Sequence, residues 1–288
     1  MEQYPIHQID PYEQFPQLAE LPQPPRALFA RGTVDYTGKK ILAIVGSRAC
    51  TTYGKNVCRS LIEGLRGYPI IIVSGLALGI DSIAHQSAID IGLTTIAFPG
   101  SSLDWPSLYP SNHRTLAESI LAAGGALYAE HQEPLKGAYW VFPERNRLIA
   151  GIADMTLIIE AEHKSGTLIT ARLATEYNRT VGAVPGPITS PLSDGANWLL
   201  KLGAVPITDT ADILRELGLA VRPIDDVREY LMLNDDEEKV VRALNEPKTR
   251  DALIDELNLT PASLAITLST LEIKGVIRET LGLIERLL

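Results

Sequence analysis

Short apolar runs alternate with amphipathic helical segments from about residue 40 to residue 217. The runs are rich in Ile, Val and Ala and do not alternate with polar residues, which is typical of strands covered on both faces of a parallel sheet. Between the first two runs, apolar residues recur at helical spacing and give one buried stripe. We therefore predict a mostly parallel α/β fold, with strands at residues 41–45, 70–73, 94–98, 126–129, 156–160 and 181–184.

The two ends of the chain have a different character. Residues 1–32 are rich in Pro and Gln without a sustained period, which predicts an extended lead-in that packs on the core. Residues 237–288 show three helical patterns and a hairpin, with Thr260 as the cap of the third helix and Gly275 at its end. We predict a Rossmann-like domain at 33–220, an acidic linker at 221–236 and a small winged-helix domain at 237–288.

The formal net charge of -9 argues against indiscriminate binding of polyanions. The acidity is uneven, however: residues 33–210 hold 14 Lys and Arg against 15 Asp and Glu, whereas residues 211–238 hold 3 against 9. A local basic patch on the central domain is therefore compatible with the composition.

Composition also predicts the location and excludes some chemistry. No apolar run approaches the roughly 20 residues of a membrane span, and the first residues lack the pattern of a signal peptide. We therefore predict a cytoplasmic protein that does not associate with a membrane. Cys50 and Cys58 form neither a disulfide framework nor a recognisable metal site. We expect no metal and no cofactor.

Four glycine-bearing turns follow predicted strands, at residues 46–54, 74–85, 99–102 and 162–167. In a parallel sheet they emerge at the carboxyl edge, where backbone N–H groups and helix N-termini bind anions. Arg48 and Lys164 add positive charge, and Ser47, Ser165 and Thr167 add hydroxyl donors. Turn geometry alone also requires such glycines, and it is the presence of four loops at one edge that favours a ligand site.

None of these turns is a standard nucleotide fingerprint. The first places seven residues between its glycines where a P-loop needs four, and the second lacks the G-x-G-x-x-G spacing. No G-x-S-x-G elbow and no H-E-x-x-H motif occurs either. An ATPase, a dehydrogenase and these hydrolase classes are disfavoured.

Two further segments carry candidate side chains. A predicted helix begins with Arg145, Asn146 and Arg147. Each arginine could bind either a phosphate or a carboxylate of the core, and we favour a structural role for one of the two. Asp81 and His85 share a helix face, which indicates hydrogen bonds that orient the loop rather than catalysis. The aromatic residues Trp105, Tyr109, Trp140 and Phe142 lie in predicted loops, where two alternatives stay open, stacking on bases or covering the core; stacking is favoured for Tyr109 over the Trp residues.

Beyond these patterns, the sequence resembles the DprA/Smf family of DNA-processing proteins over about residues 24–217. The motifs VGSRACTTYG, SGLALGIDSIAH, SLYPSNHRTL, FPERNRLIAGIAD, LIIEAEHKSGTLITARLA and VPGPITSPLSDGANWLLKLGA carry the resemblance. It implies an extended Rossmann fold, a homodimer, binding of single-stranded DNA, and loading of RecA onto that strand during natural transformation. With the loop residues above, the DNA-binding candidates are Gly46, Ser47, Arg48, Gly75, Gly79, Arg114, Asn146, Lys164, Ser165, Gly166 and Thr167.

The chain also departs from the family pattern. The family often has Asn where this chain has His113, and many members carry a helical N-terminal domain for which a 32-residue lead-in is too short. The presumptive recognition helix of the winged-helix domain offers only Lys274 against Glu272, which predicts a protein contact or a regulatory lid rather than a duplex reader.

Two alternatives to a DNA-binding mediator remain at this point. One is a nucleotide phosphoribohydrolase on a related Rossmann core, with Glu160 or Glu162 as the acid, although its PGG-x-G-T motif is missing. The other is an adaptor that binds only proteins. We favour the mediator and expect no enzymatic activity.

Overall fold

The computed structural model describes residues 4–132, 134–135, 140–221, 233–280 and 282–287. The chain divides into two compact units, Met1–Leu219 and Ala220–Leu288. None of the helices in these described ranges is long and apolar enough to cross a bilayer.

The larger unit is built on one sheet, with nine strands among the described residues. In chain order they are β1 (His7–Ile9), β2 (Leu28–Arg31), β3 (Lys40–Val45), β4 (Ile70–Ser74), β5 (Thr95–Ala97), β6 (Ala126–Ala129), β7 (Met155–Ile158), β8 (Thr180–Ala183) and β9 (Val205–Pro206). Their order across the sheet is β1-β2-β6-β5-β4-β3-β7-β8-β9. All pairs from β6 to β9 are parallel, and β1 and β2 extend the sheet by antiparallel pairing. The predicted mostly parallel α/β fold is confirmed.

Helices cover both faces of this sheet. They are α1 (Pro11–Gln14), α2 (Thr52–Glu63), α3 (Ile80–Asp90), α4 (Arg114–Ala122), α5 (Val141–Ile152), α6 (Gly166–Glu176), α7 (Pro191–Lys201) and α8 (Thr210–Glu216). Successive residues of β3 belong to opposite cores, since Leu42 and Ile44 pack in one cluster and Ala43 and Val45 in the other. This two-sided burial is why the strands read as unalternating apolar runs.

The first residues are more regular than the extended lead-in that we expected. Residues 7–31 contribute β1, α1 and β2, with a 3-10 turn at Pro16–Glu20, and β2 is buried throughout. Because β2 pairs with β6, it covers a strand that would otherwise form the edge of the sheet. The Pro- and Gln-rich composition around this four-residue strand hid its short apolar run.

The smaller unit has its own apolar core. It contains α9 (Asp235–Ala243), α10 (Arg250–Leu257), α11 (Pro261–Ile273), β10 (Ile277–Thr280) and β11 (Leu283–Arg286). Thr260 caps α11 by accepting from the Ser263 N–H at 3.1 Å, and the two strands form an antiparallel hairpin. The predicted winged-helix fold is confirmed.

The predicted acidic linker falls mostly on residues 222–232, which lie outside the described residues. At its end the structure differs from the prediction, because α9 already begins at Asp235, behind an Asn234 cap. Acidic side chains in a first turn favour a helix through its dipole, so part of the acidity belongs to this helix start rather than to a linker.

Candidate functional site

The strand order reverses at the centre of the sheet, where β3 lies between β4 and β7. Loops after neighbouring parallel strands emerge at the same carboxyl edge, and a reversal of strand order opens a crevice there. The loop after β3 and the loop after β4 make direct contact: the Ser47 carbonyl accepts from the Ile80 N–H at 3.2 Å. Gly46 faces the Ile80 side chain.

Glu160 fixes the loop after β3 from the neighbouring strand. Its carbonyl accepts from the Ser47 N–H at 2.8 Å. Its carboxylate, on a side chain only 2% exposed, accepts from the Thr51 N–H at 2.8 Å and the Thr51 hydroxyl at 2.5 Å. Thr51 in turn caps α2. Both carboxylate oxygens are thus committed to holding the loop, a role that the sequence analysis missed.

Asp81 shapes the loop after β4. Its Oδ2 accepts from the N–H groups of Gly75 at 3.1 Å and Ala77 at 3.3 Å. Burial raises the pKa of Asp81, and the positive charge of Arg145 opposes that rise. The carboxylate therefore acts as a buried acceptor that turns loop amides toward it.

Arg145 supports the same loop from α5. Its Nη1 donates to the Gly75 carbonyl at 2.6 Å and to the Phe98 carbonyl. Burial lowers the pKa of Arg145 to about 10, opposed by the charge of Asp81. Arg147 pairs with Glu130 at 2.5 Å. Both arginines of this segment thus have structural contacts, where we expected one.

Gly79 is required by the backbone at the closest approach of the two loops. Its φ is +78°, in the region that L side chains rarely adopt. A Cβ at this position would collide with the carbonyl groups of Ser47 and Arg48, 2.7 Å from the Arg48 oxygen. Only glycine at this position therefore allows the loop after β4 to pack against the backbone of Ser47 and Arg48.

The structure corrects the role expected for His85. Its Nδ1 lies 2.7 Å from the Thr95 hydroxyl, which donates its proton to the Ile72 carbonyl, so Nδ1 donates to Thr95 and does not reach the loop. Burial lowers the pKa of His85 to about 3, which leaves it neutral near pH 7. His113, by contrast, does bond the loop, with its Nδ1 2.8 Å from the Leu76 carbonyl.

Arg48 is the cation that this framework presents. Its guanidinium lies 4.9 Å from the centroid of the Phe142 ring, and it has no ion pair among the described residues. Phe142 packs against Gly100, and its ring is 6.0 Å from that of Tyr109. A cavity of about 30 Å³ lies between these groups and the loop after β4. Arg48 is thus held on an aromatic face with its charge uncompensated.

Residues 164–167 form a second group at the start of α6. Lys164 is exposed and unpaired in the part of the chain that the structure describes. Ser165 occupies the cap position without making a capping bond, and its buried Oγ has no hydrogen-bond partner there. A Cβ on Gly166 would meet nothing within 4 Å. Thr167 lies in the first turn. The free N–H groups of this helix start are suited to an anion.

Two candidates have other contacts. Arg114 pairs with Glu118 at 3.2 Å and stacks on Trp105 at 5.1 Å, while Arg31 lies on the same ring at 4.6 Å. The Asn146 Oδ1 accepts from Arg145 Nε at 3.1 Å. The structure therefore unites the loops after β3 and β4 around Arg48. Arg114, Asn146 and residues 164–167 are not among the residues that line the cavity beside Arg48.

The described residues contain no group of three or more His, Cys, Asp or Glu side chains that could hold a metal ion. The site instead consists of amide-rich loops, one uncompensated cation and an aromatic pair at the carboxyl edge of a parallel sheet. These features define the larger unit as a Rossmann-like α/β protein with a candidate anion site at the carboxyl edge of its sheet, followed in the chain by a winged-helix unit.

Comparison with known proteins gives the particular family. The family model for DNA recombination-mediator protein A matches residues 6–218, and the model for the DprA winged helix domain matches residues 230–282. The chain belongs to the DNA recombination-mediator protein A family, also called DprA or Smf.

Individual relatives agree. Protein Smf of Escherichia coli is 39% identical over 225 residues, which cover 78% of this chain and 60% of the E. coli protein. The chain thus spans less than two thirds of that relative. The X-ray structure of DprA from Streptococcus pneumoniae has a TM-score of 0.67 at 35% identity and covers 77% of this chain and 76% of that chain. A structure of DprA from Helicobacter pylori, studied for its unique single-stranded DNA binding mode, has a TM-score of 0.66 at 31% identity and covers 75% and 95%.

Proposed function

We propose that this protein binds single-stranded DNA at the cleft beside Arg48 and acts as a recombination mediator that protects the strand and loads RecA onto it. The observation that carries the proposal is the uncompensated guanidinium of Arg48, held over Phe142 by loops that Glu160 and Asp81 lock in place. The H. pylori relative, studied for single-stranded DNA binding, supports the choice of ligand.

The geometry suits a single strand in two ways. Arg48 can form paired hydrogen bonds to a phosphate, and the start of α6 with Lys164 offers a second anion-binding point along the same edge. The rings of Tyr109 and Phe142 provide an apolar face beside the phosphate contact. Bases stack on such rings without much sequence preference, and an unstacked strand exposes its bases for that purpose.

We further propose that the protein is not a nucleotide hydrolase. The acid in that alternative was Glu160 or Glu162, and the Glu160 carboxylate is buried with both oxygens engaged by Thr51. A carboxylate held in this way is not available to deliver a proton to a leaving base, which removes Glu160 as the acid. Glu162 is exposed, so the assay for released base decides its case. Incubation with nucleoside monophosphates should release no free base, and measurable release would contradict this assignment.

The test of DNA binding is fluorescence anisotropy with labelled single-stranded and duplex oligonucleotides across a salt series, comparing wild type with Arg48→Glu. Lys39→Glu is the matched control, because it makes the same charge change at the opposite end of the central strand β3. We expect Arg48→Glu to weaken single-strand binding at least tenfold for all sequences. The slope of log affinity against log salt should fall by about 0.7 for each phosphate that the variant no longer binds. Equal affinities of the two variants would refute the site.

RecA loading is tested separately. Adding the protein should shorten the lag before RecA filaments form on a long single strand, and Arg48→Glu should not shorten it. An unchanged lag with intact DNA binding would refute the mediator role alone. Participation in natural transformation and a cytoplasmic location remain predictions from the sequence.

We also propose a homodimer, formed through an apolar groove of about 860 Å³ between α6, α7 and β9. Trp198 and Leu202 in its lining are 40% and 63% exposed, and an exposed apolar patch marks an interaction surface when it is contiguous. Two copies present two DNA sites and thereby raise avidity. Leu202→Arg should yield a monomer in sedimentation equilibrium, and an unchanged mass distribution would refute this interface.

A further inference from the structure

A fifth loop emerges at the carboxyl edge of the sheet, after β8. It spans residues 184–190, and Ile188 within it is 91% exposed. Leaving a branched apolar side chain in water forgoes the free energy that its burial would contribute. Single exposed apolar residues are normal on protein surfaces, so Ile188 is distinguished by its place at the carboxyl edge of the sheet and by the hydrogen bonds that hold its loop.

Three hydrogen bonds from two side chains hold this loop. The Asn197 side chain accepts from the Gly186 N–H at 3.1 Å and donates to the Gly186 carbonyl at 3.0 Å. The Tyr53 hydroxyl donates to the Pro185 carbonyl at 2.6 Å. Pro187, directly before Ile188, fixes one more backbone angle. Ile188 is therefore exposed on a braced support.

One of these bonds joins the loop to α2, and α7, which follows the loop, is bonded in turn to the segment before Lys164. Tyr53 lies in the first turn of α2, directly after the segment that carries Arg48. On the other side, the Ala161 N–H donates to the Leu192 carbonyl and its carbonyl accepts from the Gly195 N–H, each at 2.8 Å. Ala161 immediately precedes the segment that leads to Lys164. The loop with Ile188 is thus bonded directly to α2, near Arg48, and connected through α7 to the segment that leads to Lys164.

We propose that Ile188 contacts the unstacked bases of the bound strand and so favours single-stranded over duplex DNA. This inference rests on the proposed function. Apolar side chains such as Ile pack between bases, and in a duplex this requires unstacking that costs about a few kcal/mol per base step, a cost that an already unstacked strand does not impose. The neighbours of Ile188 in sequence, Pro187 and Thr189, add no charge and no large apolar area. A single side chain of this size fits a base better than a protein interface, which buries some 20 to 30 residues on each side.

The test compares wild type with Ile188→Ala on two oligonucleotides of equal length, one with normal bases and one in which abasic deoxyribose units replace the nucleotides. Ile273→Ala is the control, because Ile273 is 87% exposed in the smaller unit. Thermal unfolding of all three proteins should coincide, since neither side chain is buried.

We expect Ile188→Ala to bind the normal oligonucleotide three- to tenfold more weakly with an unchanged salt slope, because the interaction that the substitution removes is not ionic. On the abasic oligonucleotide it should bind like wild type, and the ratio of single-strand to duplex affinity should fall. Equal weakening on both oligonucleotides, no weakening on either, or a changed oligomeric state would overturn the base contact. Failure of the wild type to bind any single strand would instead refute the proposed function itself, and this contact with it.

Discussion

Gly79 offers the sharpest test of how the loops position Arg48, because the chain contains a matched control. Gly79 and Gly92 have nearly identical φ angles, +78° and +77°. A Cβ on Gly92 would meet nothing within 4 Å, whereas one on Gly79 would collide with the carbonyl groups of Ser47 and Arg48. Both replacements put a side chain at positive φ, and at Gly79 the ψ of −126° lies outside the left-handed region, so the backbone strain there is at least as large. Only at Gly79 would the new Cβ also displace the Arg48 loop.

The magnitudes follow from these distances. Gly92→Ala should cost only the left-handed strain, about 1–2 kcal/mol. Gly79→Ala adds overpacking, because the Arg48 carbonyl carbon and oxygen would lie 2.8 and 2.7 Å from the new Cβ, below the 3.0 Å that real Cβ contacts respect. The Ser47 carbonyl must also move, which weakens its bond to the Ile80 N–H. With about 1–3 kcal/mol for overpacking, the total decrease in unfolding free energy should be about 3 kcal/mol or more.

The assay is denaturant unfolding together with single-strand anisotropy at a temperature where both variants are folded. Gly92→Ala should bind like wild type despite its lower stability. Gly79→Ala should bind at least tenfold more weakly, which corresponds to about 1.4 kcal/mol. Wild-type affinity in a folded Gly79→Ala protein would refute the reasoning that the backbone contact between the two loops sets the position of Arg48.

Two other predictions concern stability. Burial lowers the pKa of His85 from 6.5 to about 3, so the unfolded chain binds the proton more readily than the native protein. The stability that the neutral His85 contributes is therefore complete above pH 6.5, and the unfolding free energy should fall by about 1.4 kcal/mol per pH unit on acidification toward pH 3. Equilibrium unfolding of the His85→Gln variant should lack this slope. In the smaller unit, Lys274→Met strands the buried Glu237 carboxylate, 2.7 Å from the Lys274 Nζ, and should cost about 3–5 kcal/mol by native-state hydrogen exchange. Lys239→Met, which removes only the exposed pair with Asp236, should cost less than about 1 kcal/mol, and equal costs would contradict the difference in burial.

The sheet was predictable because its signal is local. Strands buried on both faces give continuous apolar runs, and β3 and β4 fall within one residue of the predicted ends. The winged-helix pattern was equally readable from the caps and helical periodicity around Thr260. The strand at Leu28–Arg31 was missed because it lies in a segment rich in Pro and Gln and ends in an arginine, and because its burial depends on β6, about 100 residues further along the chain.

The site was predictable only as a set of loops. The turns after β3 and β4 do meet, since parallel strands bring their carboxyl ends together. Which side chains support those loops depends on contacts between distant residues. Glu160 reaches Thr51 across 109 positions, and Arg145 reaches the Gly75 carbonyl across 70. No local pattern distinguishes such a buried support from a catalytic acid or a phosphate ligand, which is why Glu160 was considered as an acid.

The buried carboxylates explain how a chain of net charge -9 can keep one cation available. Asp81 lies in the first turn of α3, after the loop that packs against the Ser47–Arg48 backbone, and Glu160 follows β7 at the same edge of the sheet. Each is occupied by donors of the loops themselves, the amides of Gly75 and Ala77 for Asp81 and the Thr51 amide and hydroxyl for Glu160. Hydrogen bonding spreads the negative charge over these donors and orients them. The acidic residues near the site therefore hold the loops in shape and leave the charge of Arg48 for an incoming phosphate.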